Sequence, residues 1–513
     1  MRRLLVLLAA LAVSPLQATE IPAIAYHDIV DAATGDAYAI TLRDFERQMA
    51  YLARRGYTPV SLRLLDDVRA GRARLPSKPV LLTFDDGLRS YYTHAFPVLE
   101  RYRYPSVLSV VTAWVDARSL PDGYRTPLLT WDELRTLARS PLVEIASHTD
   151  DLHRGEPGNP WGSVRPAAVA RIYRPETGRY ETEARHRARV RADLGRAIGR
   201  LREELGVAPR AIAWPYGQYD GTLVEEAARL GMAYHMTLDI DPNRIDSLPR
   251  INRATFRRYR ALADFGDALG FKAYRRQQLR YVQIDFDAFA GKDIGEQRRL
   301  VSRLVERLQL LRVNSVILRP FTADARRAFF PNGALPIESD LLSYVVHQIV
   351  SRADIFEIYM RLPAGIERMP PRFFADLGRH SRFSGLVLEA AEAGTVADVR
   401  SALEAYRPNL KLAVASTQPI PGTDYLFAEF DGGETPDRIA RLARERAADG
   451  REVLFLIKGA ENETATLRAH MRVLRAAGAR HYGYGPDDFL GRVPDARQIA
   501  VPLSEHTIAV GRR

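Results

Sequence analysis

The sequence contains no cysteine. No disulfide can brace the fold, and no thiolate can serve as nucleophile or metal ligand. A lipid-modified cysteine is excluded for the same reason. Any metal must be held by histidine, aspartate or glutamate. Long apolar runs are also missing, since nothing approaches the roughly 18 residues that a bilayer span needs. No low-complexity linker separates the halves of the chain. Histidine is scarce, 11 residues in 513, so two of them close together carry information.

What is present is ordinary for globular protein: 46% hydrophobic and 27% charged residues. At about 150 residues per domain the length suggests two to four domains, or two if a barrel of roughly 250 residues is among them. The net charge of +11 and pI of about 9.7 admit nucleic acid, an anionic membrane surface, an acidic polymer or solubility alone. Arginines are spread along the chain, densest between residues 250 and 280, and no nucleic-acid motif accompanies them. That stretch reads as a connecting segment, and no nucleic-acid partner is expected. At the start, Arg2 and Arg3 precede an apolar run over residues 4–13, followed by small and polar residues ending Leu16-Gln17-Ala18. This is the order of a cleavable signal peptide, residues 1–18, too short for a stable anchor. The expectation is an exported chain that is not a lipoprotein and has no transmembrane anchor.

Apolar patterning in the first half predicts strands over residues 21–26, 79–84, 106–112, 142–147 and 211–214. Helices are predicted over 41–55, with Thr41 as N-cap and Gly56 beyond the C-terminus, and over 130–139, 181–205 and 222–230. Four of the strands run directly into a polar or unusual residue: His27, Asp85-Asp86, His148 and Pro215-Tyr216. Sites in α/β folds form at the carboxyl ends of parallel strands. The second half predicts eight strands, beginning near residues 282, 315, 355, 385, 410, 425, 453 and 481. Helices mostly alternate with them, which fits a (β/α)8 barrel, with a doubly wound open sheet as the alternative. The boundary is expected between residues 257 and 280.

Thr83-Phe84-Asp85-Asp86-Gly87 is the strongest chemical signal. Adjacent residues on a regular strand face opposite ways, but at a strand end followed by glycine both carboxylates can enter one cavity. Alone, the tripeptide also reads as a solvated turn. His148-Thr-Asp-Asp-Leu-His153 is the second signal. On a helix, residues five apart lie roughly 140° apart at about 3.6 residues per turn, and on a strand they face opposite ways. They converge only if His148 ends a strand and a loop returns His153. Asp86, His148 and His153 would then offer one oxygen and two nitrogens with an open position, as in a catalytic zinc-type site. Asp85 beside them would take a proton from an activated water. Tyr216 could aim its N–H at a developing oxyanion, and His27, with Asp28 as a candidate orienter, could protonate a leaving amine; taken alone, Pro215-Tyr216-Gly217 also reads as a simple turn and His27 as a packed histidine.

Together these segments resemble the polysaccharide deacetylase (NodB-homology) family over residues 21–241. The motifs involved are Thr83 to Gly87, Ser147 to His153 and Trp214 to Gly217. The early His27 and the five-residue histidine separation are similar to the PgaB-type, periplasmic poly-β-1,6-N-acetyl-D-glucosamine N-deacetylase branch. So are Leu152-His153-Arg154-Gly155 with Asn159-Pro160, and Ile172-Tyr173 before Glu181. The resemblance implies a distorted N-terminal (β/α) barrel over 19–256, a connector over 257–280 and a glycoside-hydrolase-like (β/α)8 domain over 281–513. It also implies a divalent metal (zinc, cobalt, nickel or iron) and Asp85 as base. The substrate would be an N-acetylglucosamine polymer, and an outer-membrane export porin would be a partner. Trp214 and Pro215 would contact substrate, as would Asp285, Asp287, Glu389, Asp487 and Asp488 in the second domain. Two departures stand out: the fourth barrel strand ends Leu388-Glu389-Ala390-Ala391, and the sixth ends Glu429-Phe430-Asp431. Glycoside hydrolysis needs two placed carboxylates, so the second domain is expected to bind polymer, with hydrolysis as the alternative.

Overall fold

The structure, a computed structural model, describes residues 20–503 apart from 35, 37, 118–123, 125, 240, 256–261, 271–277, 354, 356 and 460–463. The expected signal peptide and much of the expected connector therefore lie outside the described residues. The chain sorts into two compact units, neither of them continuous in sequence. One comprises Met1–Arg154, Arg189–Gln218 and Glu226–Arg276, and the other comprises Gly155–Ala188, Tyr219–Glu225 and Gln277–Arg513.

The first unit is built on parallel strands: β1 (Ala23–Tyr26), β2 (Pro79–Phe84), β3 (Ser106–Val110), β4 (Val143–Ser147), β5 (Ala211–Ala213), β6 (Tyr234–Thr237), β7 (Arg250–Asn252) and β8 (Ala254–Thr255). Their order is β7-β6-β5-β4-β3-β2-β1-β8, every pairing parallel. The two ends of this path, β7 and β8, are separated in the chain only by Arg253. One residue thus carries the backbone from one edge strand to the other, and the sheet becomes a nearly closed barrel. Residues 250–255, at the end of the expected first domain and the start of the dense basic stretch, supply this closure.

Alternation along each strand makes two cores. Ala23, Leu81, Val107, Ala146, Ala211, Ala213, Tyr234 and Met236 pack on one face. Ile24, Tyr26, Leu82 and Phe84 pack on the other, against Phe45, Met49 and Leu52 of helix α1 (Leu42–Arg55). That helix starts and stops where its sequence says. Thr41 Oγ1 accepts the Asp44 N–H, and Gly56 adopts the left-handed φ of 71° that ends a helix without a Cβ clash. Helix α2 (Trp131–Ala138) opens on a capping box between Thr130 and Glu133. Part of the expected connector, Leu262–Leu269, is also helical, and its Phe265, Ala268 and Leu269 join the first unit's core.

The second unit holds a closed parallel barrel of β9 (Arg280–Asp285), β10 (Ser315–Arg319), β11 (Glu357–Leu362), β12 (Gly385–Leu388), β13 (Lys411–Ala415), β14 (Tyr425–Phe430), β15 (Val453–Lys458) and β16 (His481–Gly485). The (β/α)8 expectation is met, and the open-sheet alternative falls to the pairing of β9 with β16. Residues 155–188, expected within the first domain, group with this unit instead. The reason is Trp161, which sits in the barrel's outer core, stacks on Tyr344 at 5.2 Å and donates its Nε1–H to Asp340 O at 2.6 Å. Asn159 Nδ2 adds a bond to Ser343 Oγ at 3.0 Å. No described helix is long and apolar enough to cross a membrane.

The second barrel leaves no room at Gly483 of β16, where a Cβ would lie 1.9 Å from Tyr281 O of β9. Gly483→Ala must push two paired strands apart. Urea denaturation is expected to show a loss at or above the usual overpacking cost of about 1–3 kcal/mol; an unchanged midpoint would mean the β9–β16 seam is looser than described.

Candidate active site

Strand ends bring the chemistry together in the first unit. β2 ends at Phe84, and the next residues turn sharply: Asp86 has φ 75° and Gly87 φ 75°. Thr149, just after His148, has φ 74°, and Tyr216 has φ 57°. Non-glycine residues in this region cost of order 1–3 kcal/mol each and persist only where surrounding structure enforces them. Three of them stand at three strand ends facing one site. The turn at Asp86 breaks the strand alternation, which is how two successive carboxylates reach one cavity.

Asp86, His148 and His153 converge. Their candidate ligand atoms all lie within 4.8 Å of one another, with His148 Nε2 3.3 Å and His153 Nε2 3.4 Å from Asp86 Oδ1. His148 Nδ1 lies 2.7 Å from Ala213 O. A carbonyl only accepts, so Nδ1 carries the hydrogen and Nε2 keeps its lone pair toward Asp86. Burial lowers the His153 pKa to about 4, which keeps its ring neutral. Burial pushes the Asp86 pKa up, but the imidazoles of His148, His27 and His153 around it hold it well below the usual carboxylate range. Asp86 Oδ1 is buried with no hydrogen-bond partner among the described residues, while Oδ2 accepts from Tyr124 OH at 3.0 Å. A buried, unpartnered carboxylate oxygen facing two imidazole nitrogens is the donor set of a divalent cation site. The residues fit a metal.

Asp85 stands beside them with a different partner. Arg253 donates to Asp85 Oδ1 at 2.7 Å and to Thr83 Oγ1 at 3.0 Å. Burial raises the Asp85 pKa, but Arg253, His148 and His27 together bring it below its ordinary value, so the carboxylate is ionised. His27 acts on the charge of both aspartates and of His153, which puts it with the cluster. Its ring packs against Tyr38 at 5.0 Å, and its Nδ1 has no hydrogen-bond partner among the described residues. Asp28 does not orient it. The Asp28 carboxylate accepts from Ser90 Oγ at 2.6 Å and from Thr126 Oγ1. The His153 ring lies 4.5 Å from that of Tyr216 and 4.9 Å from that of Trp114, and Tyr216 is 51% exposed. Pro215 is buried behind it. Trp214 is buried and stacked on His235 at 5.8 Å, in the alternate direction from Ala213.

In the second unit the strand ends form a separate charged mouth. Arg361 of β11 donates to Glu389 Oε1, Glu429 Oε1 and Gln283 Oε1, each at 2.7 Å. Gln283 Nε2 passes the chain on to Asp285 Oδ1 at 2.8 Å, and Lys458 lies 3.5 Å from Glu429. Burial raises the Asp285 pKa. Asp287 accepts the Ala323 N–H at 2.5 Å. Asp487 does not join this group: it is buried and bonded to Arg307 at 2.8 Å and to Tyr484 OH at 2.5 Å. Asp488 accepts from Gly491 N at 2.7 Å within its own loop.

Residues 72–235 match the family described as Polysaccharide deacetylase, and residues 283–365 match one described as Hypothetical glycosyl hydrolase family 13. This chain carries a domain of the polysaccharide deacetylase family. The poly-beta-1,6-N-acetyl-D-glucosamine N-deacetylase of Escherichia coli (strain K12) is 32% identical over 359 residues, covering 66% of this chain and 52% of that protein. The chain thus spans about half the length of that curated relative. A de-N-acetylase structure from Aggregatibacter actinomycetemcomitans has 31% identity and a TM-score of 0.45, covering 48% of this chain and 99% of that one. The BpsB deacetylase domain from Bordetella bronchiseptica has 37% identity and a TM-score of 0.41, with 46% and 95% covered. The matched residues of the deacetylase domain include Asp85, Asp86, His148, His153 and Tyr216. Arg253 and Tyr124 were not singled out from the sequence. Arg253 is one arginine in a dense basic stretch, and Tyr124 follows no strand.

Two measurements test this geometry. Asp86→Asn should weaken Zn2+ binding, read by calorimetric titration, by at least the roughly 10–100-fold that even an outer-shell change costs; wild-type affinity would remove Asp86 from the ligand set. Arg253→Met leaves the Asp85 carboxylate buried without its counter-charge. Chemical denaturation is expected to show a loss of about 3–5 kcal/mol, and a near-neutral result would mean that water or another cation serves Asp85.

Proposed function

We propose that the chain is a metal-dependent N-deacetylase of poly-β-1,6-N-acetyl-D-glucosamine, acting in the periplasm during exopolysaccharide export. The observation that carries this proposal is the convergence of Asp86, His148 and His153 around an unpartnered buried oxygen, with the ionised Asp85 alongside. A divalent ion held by those three residues supplies a Lewis acid for the acetamide carbonyl and lowers the pKa of a water toward neutrality. Zinc, cobalt, nickel and iron all accept such a set, and availability decides among them.

Asp85, kept charged and oriented by Arg253, takes the proton as water adds to the acetamide carbon. The Tyr216 N–H, on its left-handed turn at the site's rim, donates to the oxygen that gains charge. His27 gives a proton to the sugar nitrogen as the carbon–nitrogen bond breaks, leaving acetate and a free amine. Tyr216 also offers an exposed aromatic face to a sugar ring. In the second unit, Glu389 and Glu429 share one guanidinium, so neither is placed to act as a lone acid or base. That favours polymer binding over hydrolysis at this mouth, with Asp285 and Asp287 beside it. Residues 1–18 are assigned as the leader for export, and an outer-membrane porin as the partner that receives the product.

Acetate release from β-1,6- and β-1,4-linked N-acetylglucosamine oligomers, after chelation and metal add-back, tests the proposal. Activity should need the metal and favour the β-1,6 substrate; a β-1,4 preference would redirect the assignment to another polymer. Asp85→Asn is expected to reduce turnover by roughly 10²–10⁴-fold, and unchanged turnover would rule out its role as base.

A further inference from the structure

The two histidines of the site are joined by a loop with no regular structure, yet their Nε2 atoms arrive at almost equal distances from Asp86. His148 is fixed by its bond to Ala213 O. Nothing of that kind holds His153: its Nδ1 has no hydrogen-bond partner among the described residues. Its ring packs against Tyr216 and Trp114, and the backbone that brings it there is the loop. The loop is gripped from one side by Asp193, on helix α3 (Glu183–Leu205). One carboxylate oxygen of Asp193 accepts the Asp150 N–H and the other the Asp151 N–H, both at 2.9 Å. Asp193 is 1% exposed. The opposite side of the loop is tied to the segment after β3. Thr112 Oγ1 donates to Asp150 Oδ1 at 2.8 Å, and the Thr112 and Ala113 N–H groups donate to Thr149 O and Asp150 O at 3.2 and 3.1 Å. Arg196, one turn along α3, bridges Asp150 Oδ2 at 2.9 Å and Asp193 Oδ2 at 3.0 Å.

We infer that Asp193 is a positioning residue of the metal site: its carboxylate, by accepting two successive N–H groups, sets the loop shape that delivers His153 opposite His148. This inference rests on the metal assignment above. A carboxylate is the side chain suited to the task. It offers two acceptor oxygens in a plane and no donor, matching two N–H groups that point the same way out of a turn. An amide of the same shape offers one acceptor and would set its NH2 against the second N–H. Asp193 is not among the three candidate ligands. Its effect passes through the backbone of residues 150 and 151, as outer-shell groups act through the ligands they orient.

The test is Asp193→Asn in the full chain, with Zn2+ affinity measured by competition with a chromophoric chelator and the visible spectrum of the Co2+-loaded protein recorded. The expected result is a dissociation constant weaker by roughly 10–100-fold, with a changed Co2+ band, in protein that circular dichroism shows to be folded. A purely architectural role would lower the melting temperature and leave both readouts of the folded protein unchanged; that result overturns the inference. Should Asp193→Asn fail to fold, Asp193→Glu decides. It keeps both oxygens and the charge but displaces the loop by one methylene, and wild-type affinity with a wild-type spectrum there would equally overturn the inference. Failure of the wild-type protein itself to bind Zn2+ or Co2+ would overturn the metal assignment beneath it.

Discussion

The buried ion pair between Asp85 and Arg253 ties the closure of the first barrel to the charge of its site. Arg253 is the single residue between the two edge strands, so its backbone position is set by pairing on both sides. Its guanidinium is thereby delivered, 2.7 Å away, to a carboxylate that has almost no contact with water. Burying two charges costs several kcal/mol per ion before their attraction is counted. A hydrophobic pair would fill the space with less penalty, so the pair is poorly explained by stability. It is well explained by a carboxylate that must stay ionised beside other negative and positive groups. Asp86, one residue on, is turned by its left-handed backbone to a different set of partners. Two adjacent carboxylates thus have separate environments: one paired with arginine, the other facing imidazoles.

Much of this was legible in the sequence because strand ends are legible. Pro79–Phe84 is apolar apart from Thr83 and then stops at Asp85, and Val143–Ser147 stops at His148. A periodic pattern that ends on a chemical residue marks both the element and the site. The eight strands of the second barrel follow from the same signal, since their helices carry clear apolar stripes and caps. The remainder was hidden for physical reasons. β7 and β8 hold only five residues between them, too few for periodicity to register, so Arg253 was absorbed into a basic stretch. Asp193 lies in a helix crowded with charge, where one buried acid resembles its solvated neighbours. Asp28 sits next to His27 in sequence, but strand alternation sends its carboxylate to Ser90 and Thr126. Trp214 adjoins the Pro-Tyr-Gly turn, yet the same alternation buries it against His235.

The second barrel keeps charged strand ends but couples them differently. Arg361 gathers Glu389, Glu429 and Gln283 around one guanidinium, and Asp487, near the end of the last strand, is committed to Arg307. Carboxylates pinned in this way hold a fixed pattern of negative charge. Proton shuttling, by contrast, requires acids and bases whose ionisation can change during a reaction.

Trp161 has a consequence for how the polypeptide acquires its shape. It leaves the ribosome with the strands of the first barrel around it in sequence, but the surfaces it stacks on and bonds to belong to residues 340 and 344. Until those residues emerge, a large indole stays in water and a 34-residue excursion, Gly155–Ala188, has no core to join. Such long-range contacts are slow to form and leave apolar surface open meanwhile. The excursion therefore cannot take its place until chain 179 residues further along has been made.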